Sequence, residues 1–198
     1  FVHMNPEYVV LGGLIWKILC KKTALWYVHK SVNLKLRIAE KLADKIFTAS
    51  AESFRLPSKK VEVVGHGIDT NKFKITNDKP QITNKLRIVT AGRIAPVKRL
   101  DVLFDAVEIL NKNGTDLEIK IAGGPVTKTD KIYFEKLKSD VKQKGLESIV
   151  SFVGPISYQK IQDFYKQGDV FVNLSETGSI DKAVLEAMAC GITVITSN

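Results

Sequence analysis

The sequence has few of the features that mark disulfide-rich, zinc-binding or membrane-spanning proteins. Its two cysteines, Cys20 and Cys190, lie far apart without a CxxC spacing, which excludes a disulfide scaffold and a cysteine-rich zinc site. The longest apolar run covers residues 8–16 and is shorter than the ~18 residues that a membrane-spanning helix needs. No fixed-period repeat or low-complexity tract is present. We therefore expect a globular protein of a reducing, cytoplasmic compartment.

Negative charge is in deficit. Thirty Lys and Arg residues against 21 Asp and Glu residues give a formal net charge of +9, which favours anionic partners such as nucleotides, phosphates, acidic lipids or nucleic acid. The basic residues are dispersed, aromatic residues make up only 8% of the chain, and no helix-turn-helix or zinc pattern occurs, so we predict no nucleic-acid partner. Peripheral contact with an anionic membrane, at its inner face, stays open because lysines surround the apolar segment 6–20: Lys17, Lys21, Lys22, Lys30, Lys35 and Lys41. The alternative is that this segment packs under a sheet.

Short β-branched runs alternate with helical patterns along the chain, which is typical of α/β proteins with Rossmann-like parallel sheets. We predict strands over residues 23–28, 45–49, 61–64, 86–91, 117–122, 149–153, 170–174 and 192–195. Helices are predicted over residues 6–20, 32–43, 100–111, 130–144, 158–167 and 180–190. Residues 73–85 have the composition of a linker, which divides the chain into residues 1–80 and 81–198. Because the chain begins at Phe1 and stops at a strand, we expect a piece of a longer protein.

A first candidate site follows the predicted strand 86–91. Gly92 forms a turn there, and Arg93 and Lys98 place two fixed cations before the next helix. Arg offers a planar fork of donors and Lys a point charge, so the pair suits a diphosphate whose charge grows as it leaves. The alternative is that both are solvated loop charges.

A second candidate site lies between the last two predicted strands. A turn at Gly178 opens a helix whose first amides, from Ser179 to Lys182, lack partners within the helix and can bind an anion. Glu186 lies one turn after Lys182, where a carboxylate can accept two hydrogen bonds from a ribose diol. The alternative is an exposed ion pair between Lys182 and Glu186 that contributes ~0.5 kcal/mol.

Several segments together resemble a known family. GRIAPVKRLDVLFDA, IAGGP, FVGPI, FYKQGDVFVNLS and VLEAMACGITVITS are similar, in order and spacing, to the donor-binding half of retaining glycosyltransferases of the GT-B fold, family four. LWYVHK, ADKIFTASAESF and VEVVGHGIDTNKF resemble the end of the same family's amino-terminal acceptor domain. The resemblance implies a partial acceptor domain over residues 1–80 and a donor-binding domain over residues 81–198.

The resemblance implies sugar transfer from a nucleoside-diphosphate sugar to a glycan or lipid-linked acceptor, with retention of configuration, in glycan, glycolipid or polysaccharide synthesis. It implies no bound metal and no cofactor besides the donor. By position, Arg93 and Lys98 would hold the diphosphate, the amides near Asp181 and Lys182 would cap it, and Glu186 would bind the ribose. A non-catalytic nucleotide-sugar-binding module is the alternative, and we expect the isolated chain to be inactive.

The same resemblance extends to two further places. Backbone around Gly154 and Ile156 would border the nucleobase, and His29 resembles the acceptor-domain histidine that faces the donor sugar. A structural strand-end role is the alternative for His29, and structural roles are expected for His3 and His66.

One position departs from the family. The family commonly has a Glu eight residues before the position of Glu186, where this sequence has Gly178. Either Glu176 or Asp181 replaces that carboxylate, or recognition of the sugar differs.

Overall fold

The chain folds into two compact units. A computed structural model describes residues 1–74, 84–176 and 181–197; the first unit comprises residues 1–67 and the second the described residues from 68 onwards. The predicted linker at residues 73–85 falls largely on residues 75–83, outside the described residues. Each unit is an all-parallel sheet with helical crossovers, so the predicted α/β class is confirmed.

The first unit is a four-stranded sheet in the order β1-β2-β3-β4. Its elements are β1 (Val2–His3), α1 (Pro6–Ile18), β2 (Ala24–Trp26), α2 (Leu34–Leu42), β3 (Lys45–Thr48), a 3₁₀ turn (Ala51–Ser53) and β4 (Val61–Val63). Its core contains Leu25 and Ile46 from the strands and Leu36 and Ala39 from α2, all 0% exposed. The apolar spacing of α2 therefore serves to cover the sheet.

Side chains satisfy both ends of α2. The Asn33 side chain accepts a hydrogen bond from the Leu36 amide at 2.8 Å, as Asn commonly does before the first helical turn. At the other end, Lys60 Nζ donates to the carbonyls of Glu40, Lys41 and Ala43 at 2.7, 3.2 and 2.9 Å. A cation at a helix carboxyl terminus also interacts favourably with the helix dipole.

The second unit is a five-stranded sheet in the order β7-β6-β5-β8-β9. Its elements are β5 (Leu86–Ala91), a 3₁₀ turn (Pro96–Lys98), α3 (Leu100–Lys112), β6 (Leu117–Ala122), α4 (Lys128–Gln143), β7 (Val150–Gly154), α5 (Ile161–Tyr165), β8 (Val170–Asn173), α6 (Lys182–Ala189) and β9 (Thr193–Thr196). The chain moves outward from β5 to β7 and then returns to the other side of β5. The topological switch point, where ligands bind in such sheets, lies between β5 and β8.

The two central strands separate towards their carboxyl ends. Their paired residues are Ile88 with Val170 and Val89 with Phe171, and both strands continue for two residues beyond this pairing. At the opposite end, Arg87 clamps Asp169: Arg87 Nε lies 3.0 Å from Oδ2 and Nη2 lies 2.6 Å from Oδ1. The strands are thus tied at their amino ends and open where the next turns begin.

Apolar side chains fill both faces of this sheet. On one side Phe104 from α3, Ile119 from β6 and Leu137 from α4 are 0% exposed. On the other, Phe171 from β8 and Ala187 from α6 are also 0% exposed. Apolar packing therefore covers both faces of the sheet, as is usual for parallel sheets.

Most elements lie within a few residues of their predicted bounds, with three corrections. β2 has three residues rather than the six predicted over 23–28, because the chain turns after Tyr27, whose hydroxyl lies 3.0 Å from the Ser31 carbonyl. α5 has five residues rather than ten, because a turn between Ser157 and Lys160 precedes it. β1 was not predicted, since two residues carry no periodicity.

In the described part of the chain, no helix combines the length and apolar character that crossing a bilayer requires.

Candidate functional site

The turn after β5 depends on two glycines that touch. Gly92 and Gly123 follow the neighbouring strands β5 and β6 and have φ of +149° and +128°, which L side chains rarely adopt. A Cβ atom on Gly123 would lie 1.8 Å from the Gly92 carbonyl oxygen. Gly123 also donates its amide to the Gly154 carbonyl at 2.8 Å. The ends of β5, β6 and β7 therefore meet through backbone atoms, without side chains between them. We call this arrangement the glycine crossing.

Arg93 extends from this turn and is half exposed. Its Nε lies 3.9 Å from Oδ2 of Asp130, a buried carboxylate in the first turn of α4. Asp130 accepts the Thr127 amide at 2.9 Å while Thr127 Oγ1 accepts the Asp130 amide, which forms a capping box. The hydrogen bond from the Thr127 backbone, helped by the charge of Arg93, holds the pKa of Asp130 below its usual value. Arg93 thus faces an anionic support and keeps half of its surface open.

Lys98 binds across the switch point to the turn that follows β8. Its Nζ lies 2.5 Å from Oδ2 of Asp181, and Nδ2 of Asn173 donates to the same oxygen at 2.8 Å. The side chains of Lys98 and Asp181 are 20% and 23% exposed. A backbone bond from the Glu176 amide to the Val97 carbonyl, at 3.1 Å, also joins these two turns. The two predicted diphosphate-binding turns are therefore in direct contact.

Asn173 holds the second turn in shape. It is the last residue of β8, is 6% exposed, and accepts the Ser175 amide on Oδ1 at 3.0 Å. The backbone carbonyl of Asn173 accepts a hydrogen bond from the Ser197 amide at 3.1 Å. Each polar group of this buried amide thus has a partner, as buried polar groups require.

A narrow cavity lies between the turns, lined by Gly92, Arg93, Lys98 and Asn173 among others. Its volume is about 10 Å³, which is room for a single water molecule. A diphosphate therefore has to bind at its mouth or draw Lys98 away from Asp181.

A larger, mainly apolar cavity of about 270 Å³ lies beside the glycine crossing. Its lining residues are Ala91, Gly92, Ala122, Gly123, Pro155, Ile156, Ile161, Tyr165 and Ala183. Ile156 belongs to this lining, and Gly154, with φ of +77°, ends β7 next to it. Apolar walls close to a charged turn are what a nucleoside joined to phosphates needs.

Glu186 lies in the middle of α6, where its Oε2 accepts a hydrogen bond from the Tyr165 hydroxyl at 2.8 Å. Lys182, the first residue of α6, is exposed, and the ion pairs found in the described residues do not join it to Glu186. Gly178 and Ser179 lie outside the described residues, so the predicted amide site is described only from Asp181 onwards. Asp181 precedes the helix, and its side chain makes no capping bond there.

The two carboxylates considered for the missing family Glu have different partners. Glu176 is 60% exposed and pairs with Arg99, the residue before α3, which has φ of +50°. Asp181 instead binds Lys98 inside the cleft. Of the two, only Asp181 contacts a residue of the predicted diphosphate site.

The histidines belong to the first unit. His29 is exposed three residues after β2, with its ring 5.9 Å from that of Tyr27. His3 ends β1, and the His66 ring lies 6.1 Å from that of Trp26. In residues 1–74, 84–176 and 181–197, no group of three or more His, Cys, Asp or Glu has a geometry that could hold a metal ion.

Sequence reasoning missed three residues of the site: Asn173, Asp130 and Tyr165. A polar residue at the end of an apolar strand is a signal that identifies Asn173, since ligands bind beyond strand ends. The T-x-x-D spacing of Thr127 and Asp130 is a signal for a capped helix. Nothing in the sequence joins Tyr165 to Glu186.

The sheet order, the glycine crossing and the charged cleft at the switch point define a Rossmann-like α/β unit. The model of the family described as glycosyl transferases group 1 matches residues 71–198, which is more than half of the chain. The chain belongs to this family, and the predicted likeness to GT-B glycosyltransferases is confirmed.

Two named relatives match most of the chain. It is 28% identical over 155 residues to mannosylfructose-phosphate synthase of Agrobacterium fabrum, which covers 73% of this chain and 34% of that protein. It is 31% identical over 157 residues to D-inositol 3-phosphate glycosyltransferase of Jonesia denitrificans, which covers 70% of this chain and 35% of that protein. The chain thus spans about a third of the length of these relatives.

Solved structures share the fold. Anabaena HepE in complex with UDP has a TM-score of 0.82 at 18% identity, over 99% of this chain and 59% of that chain. The C-terminal domain of a glycosyl transferase group 1 protein (LpcC) from Francisella tularensis has a TM-score of 0.58 at 28% identity, over 66% of this chain and 70% of that chain.

Proposed function

We propose that the second unit binds the nucleoside diphosphate of a sugar donor. The chain is proposed to be part of a retaining, family-four glycosyltransferase, which transfers the sugar to a hydroxyl acceptor. The observation that carries this proposal is the contact between Lys98 and Asp181 across the switch point, with Gly92 and Arg93 in the same turn. Anionic ligands bind where such turns meet in a parallel sheet. The UDP complex of HepE, which has the same fold, supports a nucleoside diphosphate as the ligand.

Each group has a role in this proposal. Arg93 and Lys98 contact the diphosphate, and the backbone amides at Asp181 and Lys182 cap it. The diphosphate gains negative charge as it leaves, so preset cations stabilise the transition state more than the bound donor. Removal of one such contact typically costs ~3 kcal/mol, about a hundredfold in rate.

The chemistry follows from these contacts. The bond between the sugar anomeric carbon and the diphosphate oxygen breaks, and its electron pair leaves with the diphosphate. The acceptor hydroxyl oxygen forms the new bond on the same face of the sugar, and its proton passes to the departing diphosphate oxygen. His29 is proposed to hydrogen-bond the donor sugar and to position it without serving as the base.

The apolar cavity is proposed to take the nucleobase, with backbone around Gly154 and Ile156 at its border, and Glu186 to bind the ribose. The carboxylate that recognises the sugar is proposed to be Asp181 rather than Glu176, because Glu176 is occupied by Arg99 outside the cleft. In the bound state the sugar hydroxyls contact Asp181 and the diphosphate contacts Lys98, so the donor replaces the contact between these two residues.

The acceptor is proposed to be a hydroxyl compound such as a glycan or a lipid-linked saccharide. Relatives named as a mannosylfructose-phosphate synthase, an inositol phosphate glycosyltransferase and an amylovoran biosynthesis glycosyltransferase support acceptors rich in hydroxyl groups. A lipid-linked acceptor would bring the chain to a membrane surface, which its excess of lysine favours.

The test of donor binding is calorimetric titration with UDP, GDP and ADP. Arg93→Ala and Lys98→Ala are each expected to weaken the binding of the preferred nucleotide by about tenfold or more, the effect of one lost charge-assisted bond. The control is Lys85→Ala, which removes the same charge next to Asp116 at the amino end of β5. Unchanged affinity in both site variants would contradict the proposal.

A second function, donor binding without transfer by this chain alone, is favoured by one observation. Except for His29, the proposed donor-site residues with described positions all lie in the second unit. We therefore expect the 198-residue chain to bind the nucleotide and to show no sugar transfer. Robust transfer by this chain would contradict that expectation.

A further inference from the structure

Tyr165 is the last residue of α5, and its hydroxyl donates to Oε2 of Glu186 on α6 at 2.8 Å. The side chain is 1% exposed. Its ring centroid lies 5.6 Å from that of Phe171, 6.2 Å from Phe164 and 6.3 Å from Phe73. Rings packed on several sides have few rotamers open to them, so the core of the second unit sets the position of this hydroxyl.

The direction of the hydrogen bond between Tyr165 and Glu186 is fixed as well. Burial raises the pKa of Tyr165 far above its usual value, and the nearby charge of Glu186 raises it further. The hydroxyl therefore stays protonated at neutral pH and acts as the donor, while Glu186 accepts. A carboxylate has two acceptor oxygens. The bond from Tyr165 to Oε2 restricts the orientation of the carboxylate, and Oε1 can accept a hydrogen bond from a further donor.

Tyr165 also belongs to the lining of the 270 Å³ cavity, together with Ile156, Ile161 and Ala183. These three neighbours are apolar, so a ligand in the cavity finds few side-chain acceptors there. A ligand in the cavity does lie next to the ring of Tyr165, whose hydroxyl is hydrogen-bonded to Glu186. The same residue thus shapes the cavity and orients the nearby carboxylate.

We propose that Tyr165 is a positioning residue that orients the Glu186 carboxylate, so that the chain distinguishes ribose from deoxyribose in the nucleotide that it binds. The inference rests on the proposed function, because it takes Glu186 as the ribose ligand. A buried site built to accept hydroxyl hydrogen bonds rejects an analogue that lacks the hydroxyl, because the acceptor is left unpaired. A carboxylate that can turn away loses much of this discrimination.

The test compares UDP, GDP and ADP with their 2′-deoxy and 3′-deoxy counterparts by calorimetric titration of the 198-residue chain. The measured quantity is the ratio of affinities, ribonucleotide over deoxynucleotide. We expect Tyr165→Phe to lower this ratio by about tenfold, the effect of releasing one charge-assisted hydrogen bond. The ring and the walls of the cavity stay in place, so binding of the deoxynucleotides is expected to change little.

A matched control is available in the same unit. The Tyr133 hydroxyl donates to Oδ1 of Asp101 at 2.9 Å and is partly buried, but Tyr133 is outside the cavity lining. Tyr133→Phe therefore removes the same kind of bond, with a similar loss of thermal stability and no change in the affinity ratio. The ratio separates positioning from stability, since a purely structural Tyr165 would lower the melting temperature alone.

The outcomes are distinct. If neither the wild-type chain nor any variant binds one of the three ribonucleotides, the proposed function itself is wrong. If the wild-type chain binds them but does not distinguish ribose from deoxyribose, or if Tyr165→Phe keeps the wild-type ratio, the positioning role is wrong. Should Tyr165→Phe fail to fold, Tyr165→Met serves instead, because it also removes the hydroxyl and its flexible apolar side chain fills the space of the ring. A wild-type ratio in that variant would overturn the inference, and a lowered ratio would support it.

Discussion

Nζ of Lys98 lies 2.5 Å from Oδ2 of Asp181, so the cation that follows β5 is bound by the carboxylate that precedes α6. The two residues are 83 positions apart in the chain. They meet because β5 and β8 are neighbours in the sheet although β6 and β7 come between them in sequence. The sheet order thus produces the charged cleft.

This contact makes Asp181 a competitor of the diphosphate. Asp181→Asn removes a negative charge from the cleft and releases Lys98, while the helix loses no capping bond because the Asp181 side chain makes none. We expect the affinity for the preferred nucleoside diphosphate to rise by about threefold to tenfold, as for a charge contact of ~1 kcal/mol. Calorimetric titration measures the change.

Asp116→Asn is the control for that variant, since it makes the same change of net charge at an exposed ion pair with Lys85. It should leave nucleotide affinity unchanged. A weaker affinity in Asp181→Asn would show that Asp181 supports the diphosphate instead of competing with it.

The glycine crossing predicts a sharp difference between two adjacent substitutions. Gly123→Ala would place Cβ 1.8 Å from the Gly92 carbonyl oxygen, at a φ of +128°, so the turn that carries Arg93 must move. Gly124→Ala places Cβ 3.7 Å from the nearest atom, Cγ of Pro155, which is ordinary contact. We expect Gly123→Ala to lower the free energy of unfolding by ~3 kcal/mol or more and to abolish nucleotide binding.

Gly124→Ala is expected to fold and bind like the wild-type chain. Thermal unfolding and calorimetry of the pair decide the matter. Equal melting temperatures would mean that the two turns do not cross as described.

The clamp between Arg87 and Asp169 predicts a dependence of stability on pH. The hydrogen bond from Arg87 lowers the pKa of Asp169 in the folded chain below its unfolded value. The stabilisation is therefore present at neutral pH and is lost as the pH falls through the folded pKa. Because Asp169 is 39% exposed, solvent screens the pair, and we expect Asp169→Asn to cost ~1 kcal/mol at pH 7.

Urea unfolding at pH 7 and at pH 2 checks this expectation. The wild-type chain and Asp169→Asn should differ at pH 7, and the difference should shrink as the pH falls through the folded pKa and the wild-type carboxylate takes up a proton. A difference of the same size at both pH values would contradict the ion-pair explanation.

The bonds of Lys60 to the end of α2 predict a local loss of stability in the first unit. Lys60→Met removes three hydrogen bonds to helix carbonyls, and we expect a loss of ~1–2 kcal/mol. Both tryptophans, Trp16 and Trp26, lie in this unit, so tryptophan fluorescence follows its unfolding. Lys59→Met, at the exposed neighbouring residue, is the control. An equal effect of both substitutions would contradict a stabilisation of α2 by the hydrogen bonds of Lys60.

The sequence predicts the second unit better than the first for a physical reason. β5 and β6 have their predicted bounds because each is a six-residue run with β-branched residues and buried apolar positions, long enough to stand out in the sequence. β1 and β2, with two and three residues, are too short for a periodic pattern. Their pairing is specified by tertiary contacts that no local window contains.

The sequence also predicts part of the candidate site. Turn chemistry predicts Gly92, Arg93 and Lys98 as site residues because they lie between a strand and the next helix. The partners of these residues come from distant positions: Asp181 for Lys98, Asp130 for Arg93, and Tyr165 for Glu186. Sequence spacing shows which residues lie at the ends of strands, whereas the pairing between strand ends depends on the order of strands in the sheet.

The most direct measurement of the central claim is a crystal structure of the chain with UDP or GDP bound. We expect the diphosphate to lie at the switch point, to contact Arg93 and Lys98, and to leave Lys98 farther from Asp181 than 2.5 Å. The base is expected in the cavity beside Ile156. A diphosphate bound away from both turns, with Lys98 still in contact with Asp181, would contradict the proposed diphosphate site.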